Sequence, residues 1–282
     1  MSDIPGAEPS RTLATYHVDE AGDGVLFGRM GRNLLAEENS SKFFMLGMVR
    51  CVCDAEAAAA LTELRQSLLA NPLYSSIHTL RPEAKKTARS FHAKDDHPEI
   101  RAKVFELILS LDFQFFAVIK DMRSVLKYVK GRNHNDFSYR YHPNELYDLT
   151  VKLLFNQRLH SEDHYRITFA RRGQSDRTTA LMENLQVTRV RFLEEHAMDH
   201  DPTLEIIPAY PWEQECLQIT DYCLWALQRC YEKGEDRFLK AIWPKVSLIR
   251  DVDDPAAGKG YGTYLSKKGA PPDPQKIICR WI

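Results

Sequence analysis

A run of almost uninterrupted apolar residues, FFMLGMVRCVC at positions 43–53, constrains the fold more than any other feature of this 282-residue sequence. A strand covered on both faces is apolar at nearly every position, whereas a half-exposed strand alternates apolar with polar residues. The run is also shorter than the 18 or more apolar residues, roughly, of a membrane span. It therefore predicts a strand buried inside a sheet that helices cover on both sides.

Segments with strand and helix patterns alternate along the rest of the chain, as in α/β proteins. Further strands are predicted at 15–19, 113–120, 164–170 and 203–207, and more weakly at 88–92. Helices are predicted at 54–70 with Asp54 as N-cap, from Pro98, at 143–159, from a cap at Ser175 or Asp176 to about 198, at 212–232 and at 235–242. The sequence thus predicts one α/β domain with a helical periphery.

The balance of charges leaves the class of partner open. Lys and Arg number 38 against 39 Asp and Glu, so no global basic field favours nucleic acid. Local clusters near predicted strand ends would have to neutralise phosphates. Such clusters are Lys85, Lys86 and Arg89; Arg123, Lys127, Lys130 and Arg132; and Arg171, Arg172 and Arg177, with Tyr139 and Tyr141 beside Arg140 as a stacking surface for single strands.

The six cysteines include no Cys-x-x-Cys pair, which disfavours a zinc ribbon and a thioredoxin-type site. Cys216, Cys223 and Cys230 recur at every seventh residue, the spacing of one helix stripe. We interpret the cysteines as free, buried thiols in a reducing compartment. The chain start also lacks the features of a secretory signal, so we expect a cytoplasmic protein that does not bind membranes.

Two carboxylates end the first predicted strand, at the edge where α/β sheets usually bind ligands. Asp19 and Glu20 would share one site only where the strand breaks, which Gly22 and Gly24 permit. An ordinary turn explains the same residues and is favoured by this motif alone.

A third carboxylate, Asp221, lies beside an apolar stripe of the helix predicted at 212–232. A carboxylate in that position is costly unless it is paired, protonated or bound to a cation. Two hypotheses follow. Asp221 either forms a buried salt bridge, to Arg229 or Arg250, or shares a divalent cation with Asp19 through oxygen ligands.

Taken together, these motifs resemble the domain of unknown function 3800 family. YHVDEAG at 16–22 is similar to the strand end x-D-E-[SA]-G of that family, and LQITDY at 217–222 to its helix L-Q-[LIV]-[AT]-D. FHA at 91–93 and RRGQSDR at 171–177 resemble two internal elements of the family. The resemblance extends over about residues 14–250.

The resemblance implies a ribonuclease-H-like mixed sheet flanked by helices at 13–250. The polar residues 1–12, with two prolines, predict a flexible tail, and the Gly-, Pro- and Lys-rich residues 251–282 predict a mostly irregular extension. The resemblance implies a metal-dependent nuclease that hydrolyses phosphodiester bonds of DNA or RNA. Such proteins are often linked to mobile elements or phage defence, with other proteins of the cassette as partners. The alternative is a non-catalytic module that binds nucleic acid or protein on the same fold.

The resemblance also assigns residues by position. Asp19, Glu20 and Asp221 match the acidic motifs, as catalytic residues and as ligands of Mg²⁺ or Mn²⁺. His92 matches the internal histidine and is the fourth predicted catalytic residue, which would contact a phosphate or pass a proton to the leaving oxygen. Asp121 follows a long strand, as does the second acid of the wider fold, and is a further predicted metal ligand.

Overall fold

The structure is a computed structural model that describes residues 12–171, 178–196, 202–258 and 260–281. Its strands are β1 (Leu13–Ala21), β2 (Phe43–Cys51), β3 (Phe113–Asp121), β4 (His164–Ala170), β5 (Thr203–Ala209), β6 (Val246–Asp251) and β7 (Thr263–Leu265). Its α-helices are α1 (Asp54–Ala70), α2 (Pro98–Ser110), α3 (Met122–Asn135), α4 (Pro143–Phe155), α5 (Thr178–Glu195), α6 (Cys216–Lys233), α7 (Arg237–Ile242) and α8 (Pro274–Ile278).

The seven described strands form one sheet in the order β5-β4-β1-β2-β3-β6-β7. Strands β1, β2 and β3 make an antiparallel meander, while β4 and β5 run parallel to β1. Strand β6 runs parallel to β3, and β7 pairs antiparallel with β6 at the far edge. The predicted mixed sheet flanked by helices in a single α/β domain is confirmed.

Strand β2 lies in the middle of this sheet and is buried on both faces, as its apolar run predicts. Phe43, Met45 and Val49 belong to the apolar cluster under α1, α2 and α6. Phe44, Leu46 and Met48 belong to the cluster under α3, α4 and α5. Burying each such side chain contributes about 1.5–3 kcal/mol, so the alternating faces of β2 hold the two helical layers together.

Gly47 lets α6 approach the centre of the sheet. A Cβ atom at this position would lie 2.8 Å from Cδ2 of Leu224 and 2.9 Å from Cε2 of Phe115. Gly47 pairs with Asp19 across β1 and β2, and the side chains of directly opposed strand residues project from the same face. Asp19 therefore lies on the face of β1 that α6 covers.

Several element boundaries differ from the prediction for local reasons. Helix α4 ends at Phe155 because Gln157 adopts the left-handed conformation, with φ of 65°. Strand β5 continues through Pro208 to Ala209, since an edge strand tolerates a proline that cannot donate to a neighbour. Helix α6 begins at Cys216, after a turn at 211–213.

Two local predictions are wrong. Residues 88–92 form turns and bends instead of a strand, because side chains from elsewhere bind their backbone: Nη1 of Arg65 donates to the Arg89 carbonyl at 2.6 Å. Cys53, not Asp54, occupies the N-cap of α1. The Asp54 carboxylate turns instead to β1, where its Oδ2 lies 3.1 Å from Nε2 of His17.

The C-terminal part contains regular structure that the sequence patterns do not signal, namely β6, β7 and α8. Arg280 fixes this part, with Nη1 2.7 Å from Oδ2 of Asp251 and Nη2 2.9 Å from Oδ1 of Asp254. The division of the chain at residues 12 and 250 stays a prediction, and residues 1–11 and the predicted α5 cap lie outside the described residues. Of the described helices, none has the length and apolarity to cross a membrane.

We predict that Gly47→Ala lowers the free energy of unfolding by about 1–3 kcal/mol, because the new methyl group overpacks the contact between β2 and α6. Gly131→Ala is the control, since Gly131 lies in α3 with nothing near its Cβ position and should gain about 0.5–1 kcal/mol. Urea denaturation measures both changes. A Gly47→Ala variant as stable as wild type would contradict close packing of α6 at this point.

Candidate active site

The carboxylates that end β1 are followed by a turn that only glycine fits comfortably. Gly22 has φ of 92°, and a Cβ atom there would collide with the carbonyl oxygen of Phe43. Before the turn, Oδ1 of Asp19 accepts a hydrogen bond from the backbone N–H of Glu20 at 2.8 Å. Strand β1 therefore ends at Ala21, one residue after the two acids and next to the glycine that the sequence pattern indicates.

Helix α6 meets this strand end with a polar stripe, formed by Gln218, Asp221 and Gln228 at helical spacing. Oε1 of Gln218 accepts from the Phe91 N–H at 3.0 Å, and Oδ2 of Asp221 accepts from the Ala93 N–H at 2.7 Å. The FHA and LQITD segments, far apart in sequence, are thus bound to each other through the backbone of one and the side chains of the other.

A buried network around Asp96 fixes the loop that carries His92. The Asp96 carboxylate accepts from Oγ1 of Thr87 at 2.5 Å, from the Tyr222 hydroxyl at 2.5 Å and from the His92 N–H at 2.9 Å. Burial raises the pKa of Asp96, although these hydrogen bonds oppose the shift. Arg101 secures the same loop by donating to the carbonyls of Ala93 and Asp96. The position of His92 is therefore set before any ligand arrives.

The strand end, the loop and α6 enclose a cavity of about 330 Å³. The ionisable and amide side chains that line it are Glu20, Asp23, His92, Lys94, Asp221 and Gln228. Nε2 of His92 lies 3.7 Å from Oδ1 of Asp221. The Asp221 side chain is 16% exposed and that of His92 49%, so the acid lies at the floor of the cavity and the imidazole at its edge.

Burial raises the pKa of Asp221. The charge of His92, the Ala93 hydrogen bond and the charge of Arg101 oppose this shift, while Asp95 adds to it. The salt-bridge hypothesis is wrong in its partners, since Arg229 binds Glu235 and Arg250 donates to the Tyr261 carbonyl. A raised carboxyl pKa at a cavity floor is typical of a functional acid.

Three of the predicted site residues, Glu20, His92 and Asp221, line this one cavity, although among the described residues no three acid or histidine ligand atoms there lie within 4.8 Å of one another. Asp19 lies next to them along β1, on the face beneath α6. Asp121 is engaged elsewhere: its Oδ1 accepts from the N–H of Arg123 at 2.8 Å, capping α3, and its Oδ2 lies 2.7 Å from Nη2 of the same arginine. A cation at Asp121 would have to displace this guanidinium.

Lys94 and Gln228 line the cavity but are not among the residues predicted from the sequence. The sequence does indicate Gln228, because this residue lies seven positions after Asp221 and therefore on the same helix face. Lys94 follows His92 by two residues in a loop whose course depends on tertiary hydrogen bonds. Its position in the cavity could not be read from spacing.

A second group of ionisable side chains lies nearer the start of β1 and of α6, and includes the first residue of α1. His17 of β1, Asp54 of α1 and Cys216 of α6 place one potential ligand atom each within 4.8 Å of one another. Burial alone would lower the pKa of His17, but the neighbouring Asp54 carboxylate and Cys216 thiol raise it to about 9. The neighbouring Cys51 thiol and burial raise the pKa of Cys216.

Comparison with known proteins finds similar solved structures but shows no family for this chain. No protein-family model matches the chain, and no curated protein matches it. One similar solved structure is ribonuclease H2 from Pyrococcus horikoshii OT3, with 13% identity, a TM-score of 0.40 and coverage of 82% of this chain and 76% of that chain. Another is ribonuclease HII from Archaeoglobus fulgidus in complex with PCNA, with 9% identity, a TM-score of 0.39 and coverage of 95% and 88%.

The predicted basic and aromatic clusters are partly used within the fold. Arg89 stacks on Trp212 at 3.5 Å, and Arg132 stacks on Tyr139 at 3.9 Å. The Tyr139 ring is buried and its hydroxyl donates to Glu145, so this ring does not offer the predicted stacking surface. The segment 172–177, with two of the predicted arginines, lies outside the described residues.

We predict that Asp221→Asn leaves the metal-free protein as stable as wild type or slightly more stable. The amide oxygen still accepts from Ala93, and the substitution removes a charge that burial disfavours. Asp221→Ala should cost about 1–3 kcal/mol, because the Ala93 N–H loses its acceptor. Thermal unfolding in EDTA measures both. A loss of about 3–5 kcal/mol for Asn would instead identify a structural ion pair with His92.

Proposed function

We propose that this chain is a metal-dependent nuclease that hydrolyses phosphodiester bonds of DNA or RNA. The observation that carries the proposal is the convergence of Glu20, His92 and Asp221 on one cavity, from a strand end, a loop and a helix. Each of these elements is fixed by hydrogen bonds or packing that do not involve a ligand. Convergence of ionisable groups on an accessible cavity is the usual arrangement of a catalytic site.

The acids at this position fit Mg²⁺ or Mn²⁺, because both ions prefer oxygen ligands and carboxylates in particular. Asp19, on the face of β1 that α6 covers, and Asp221 would hold the ion, with Glu20 of the cavity lining as a further ligand or an orienting group. Such an ion, when bound, supplies Lewis acidity at the phosphate and lowers the pKa of a bound water. Asp121 is left out of the proposed ligand set, since Arg123 already neutralises its charge.

The remaining cavity residues fit a phosphodiester. The Lys94 ammonium supplies a positive charge beside the acids, which attracts a phosphate that the carboxylates alone would repel. His92 lies at the edge of the cavity, where a half-exposed imidazole can donate a hydrogen bond to a phosphate oxygen or a proton to the leaving oxygen. Nucleic acid is the proposed partner on these grounds.

Membership in the domain of unknown function 3800 family belongs to the same proposal. It is supported by the contact between the FHA and LQITD segments, two of the elements that carry the resemblance. Partners from a mobile-element or phage-defence cassette are supported by the motif resemblance alone. A cytoplasmic location is supported by the six cysteines, all of them free thiols.

The second candidate function is a non-catalytic module that binds nucleic acid or protein on the same fold. One observation favours it: Asp221 already has a structural task, because it accepts the Ala93 N–H and so holds the His92 loop against α6. In such a module the acids would shape the cavity without binding a cation. The next two experiments separate the candidates.

We predict that the purified full chain cleaves at least one of single-stranded DNA, duplex DNA, single-stranded RNA or an RNA–DNA hybrid with Mn²⁺, and cleaves none in EDTA. Asp221→Asn and Glu20→Gln should each lower the rate by at least about 100-fold, a common loss when one group that stabilises developing charge is removed. End-labelled substrates resolved on denaturing gels measure the rate.

The matched control is Glu106→Gln, which neutralises an exposed acid of α2 whose ion pair among the described residues is with Lys103, and which should leave the rate unchanged. Cleavage that persists in EDTA, or that survives both cavity substitutions, would show that a contaminant or another site is responsible. Binding of these substrates without cleavage under every metal condition would favour the non-catalytic module.

We also predict that Mn²⁺ stabilises the wild type by linkage, by about 2.7 kcal/mol when the free ion is at 100 times its Kd. Asp221→Asn should show a much smaller stabilisation, while Glu106→Gln should behave as wild type. Thermal unfolding over a Mn²⁺ titration gives the shift in Tm for each protein. An equal shift in all three would place the bound ion away from the cavity.

A further inference from the structure

The strongest feature that the proposed nuclease site leaves unused is the group formed by His17, Asp54 and Cys216. We propose that these three side chains form a structural Zn²⁺ site that ties β1, α1 and α6 together. The site would be separate from the carboxylate cavity and does not depend on nuclease activity. It rests on the positions of the three ligand atoms, on the burial of His17 and on the kind of donors present.

The three donor atoms are already close to the spacing of zinc ligands. Nε2 of His17 lies 3.1 Å from Oδ2 of Asp54, and Sγ of Cys216 lies 4.0 Å from Oδ1 of Asp54. In a tetrahedral site with ordinary Zn–N, Zn–O and Zn–S bonds, ligand atoms are roughly 3.3–3.8 Å apart. These separations therefore differ from coordination spacing by a few tenths of an ångström to about 1 Å.

The burial of the His17 imidazole is the second observation behind the zinc site. Its side chain is 0% exposed, and within the described residues neither ring nitrogen has an aligned hydrogen-bond partner. Leaving a buried polar group without a partner costs about 1–3 kcal/mol, so native proteins rarely do it. Nε2 lies 3.1 Å from the Asp54 carboxylate, without the alignment that an N–H···O bond needs, and forms an ion pair with it when His17 is protonated. Zn²⁺ would replace that proton between the two side chains.

The chemistry of the donors selects zinc over the ions proposed for the cavity. Imidazole, thiolate and carboxylate are the usual ligands of Zn²⁺, whereas Mg²⁺ and Mn²⁺ prefer all-oxygen sites. Cys51 supplies a second thiol next to Cys216, but it lies outside the group whose ligand atoms are within 4.8 Å of one another, so it would become the fourth ligand only after its side chain turns toward the ion. Because a bound cation stabilises the thiolate and needs a neutral imidazole, the proton of each coordinating cysteine and the Nε2 proton of His17 would leave to solvent on binding.

An entry path is also present. A cavity of about 520 Å³ is lined by Arg50, Cys51 and Asp54 among others, and the Asp54 side chain is 31% exposed. His17 and Cys216 lie behind it and are fully buried. A site with its nitrogen and sulfur ligands buried and one carboxylate toward solvent fits a closed, structural zinc centre.

The experiment measures zinc in the tag-free full chain, grown with zinc and dialysed against metal-free buffer. All proteins carry Asp221→Asn, so that the proposed nuclease site contributes little. We expect about one zinc per chain by mass spectrometry of the elements, and at least a tenfold lower content after Cys216→Ser or Asp54→Asn. The Asp54→Asn variant is included because it keeps the shape of a half-exposed residue and is expected to fold.

The matched control is Cys223→Ser, a buried thiol on the same helix that lies outside the group. It should keep its zinc. Replacement of zinc by Co²⁺ should give thiolate-to-cobalt charge-transfer absorption in the control and in the parent, and none in Cys216→Ser. Removal of zinc should lower the Tm of the parent and leave that of Cys216→Ser unchanged.

Three outcomes would overturn the proposal. These are a folded parent protein without zinc whose Tm does not respond to added Zn²⁺, zinc retained equally by Cys216→Ser and Cys223→Ser, and cobalt absorption without a thiolate band. None of these results bears on cleavage of nucleic acid, so the zinc site and the nuclease proposal fail or stand separately.

Discussion

The contact between α6 and the centre of the sheet determines where every candidate group of this protein lies. It exists because Gly47 has no side chain, which lets Leu224 pack directly over β2. The contact is also polar at one point, where Oγ1 of buried Thr220 donates to the carbonyl of His17 at 2.9 Å. Packing and hydrogen bond together fix both the height and the register of α6 against β1. The carboxylate cavity and the His17 group both depend on that register.

The two groups differ in the chemistry they can support. Glu20 and Asp221 offer oxygen atoms at an open cavity, beside a lysine and a half-exposed histidine, as a site for a charged substrate requires. His17 and Cys216 offer nitrogen and sulfur in a fully buried place, where no substrate can reach them. The carboxylate cavity suits a hard cation that keeps part of its water shell, such as Mg²⁺ or Mn²⁺. The buried group suits an ion held tetrahedrally by protein ligands alone, such as Zn²⁺. One helix thus carries an exposed, reactive site and a buried, structural one.

Much of the fold could be predicted from the sequence because periodicity reports burial directly. The doubly buried run of β2 and the cavity residues Glu20, His92 and Asp221 were accessible in this way or through motif resemblance. The loop at 88–92 was not, because its course is set by Gln218, Asp221 and other side chains remote in sequence. Asp54 was wrongly predicted as an N-cap because its actual partner, His17, lies on a different element, and no local pattern reveals that contact. Strand β7 has three residues, too few for a pattern.

The spacing of the two groups along shared elements gives the buried one a consequence for the exposed one. His17 and Asp19 are two residues apart on β1, or about 6.6 Å, and Cys216 and Asp221 are five apart on α6, or about 7.5 Å. A slip of α6 by one residue would move Asp221 by about 1.5 Å relative to Glu20. Catalytic groups must be held to within about 0.5 Å, so the cavity tolerates no such slip. A cation that joins His17 to Cys216 would add one more restraint on this register at the near end of both elements, beside the Leu224 packing and the Thr220 hydrogen bond that already hold it.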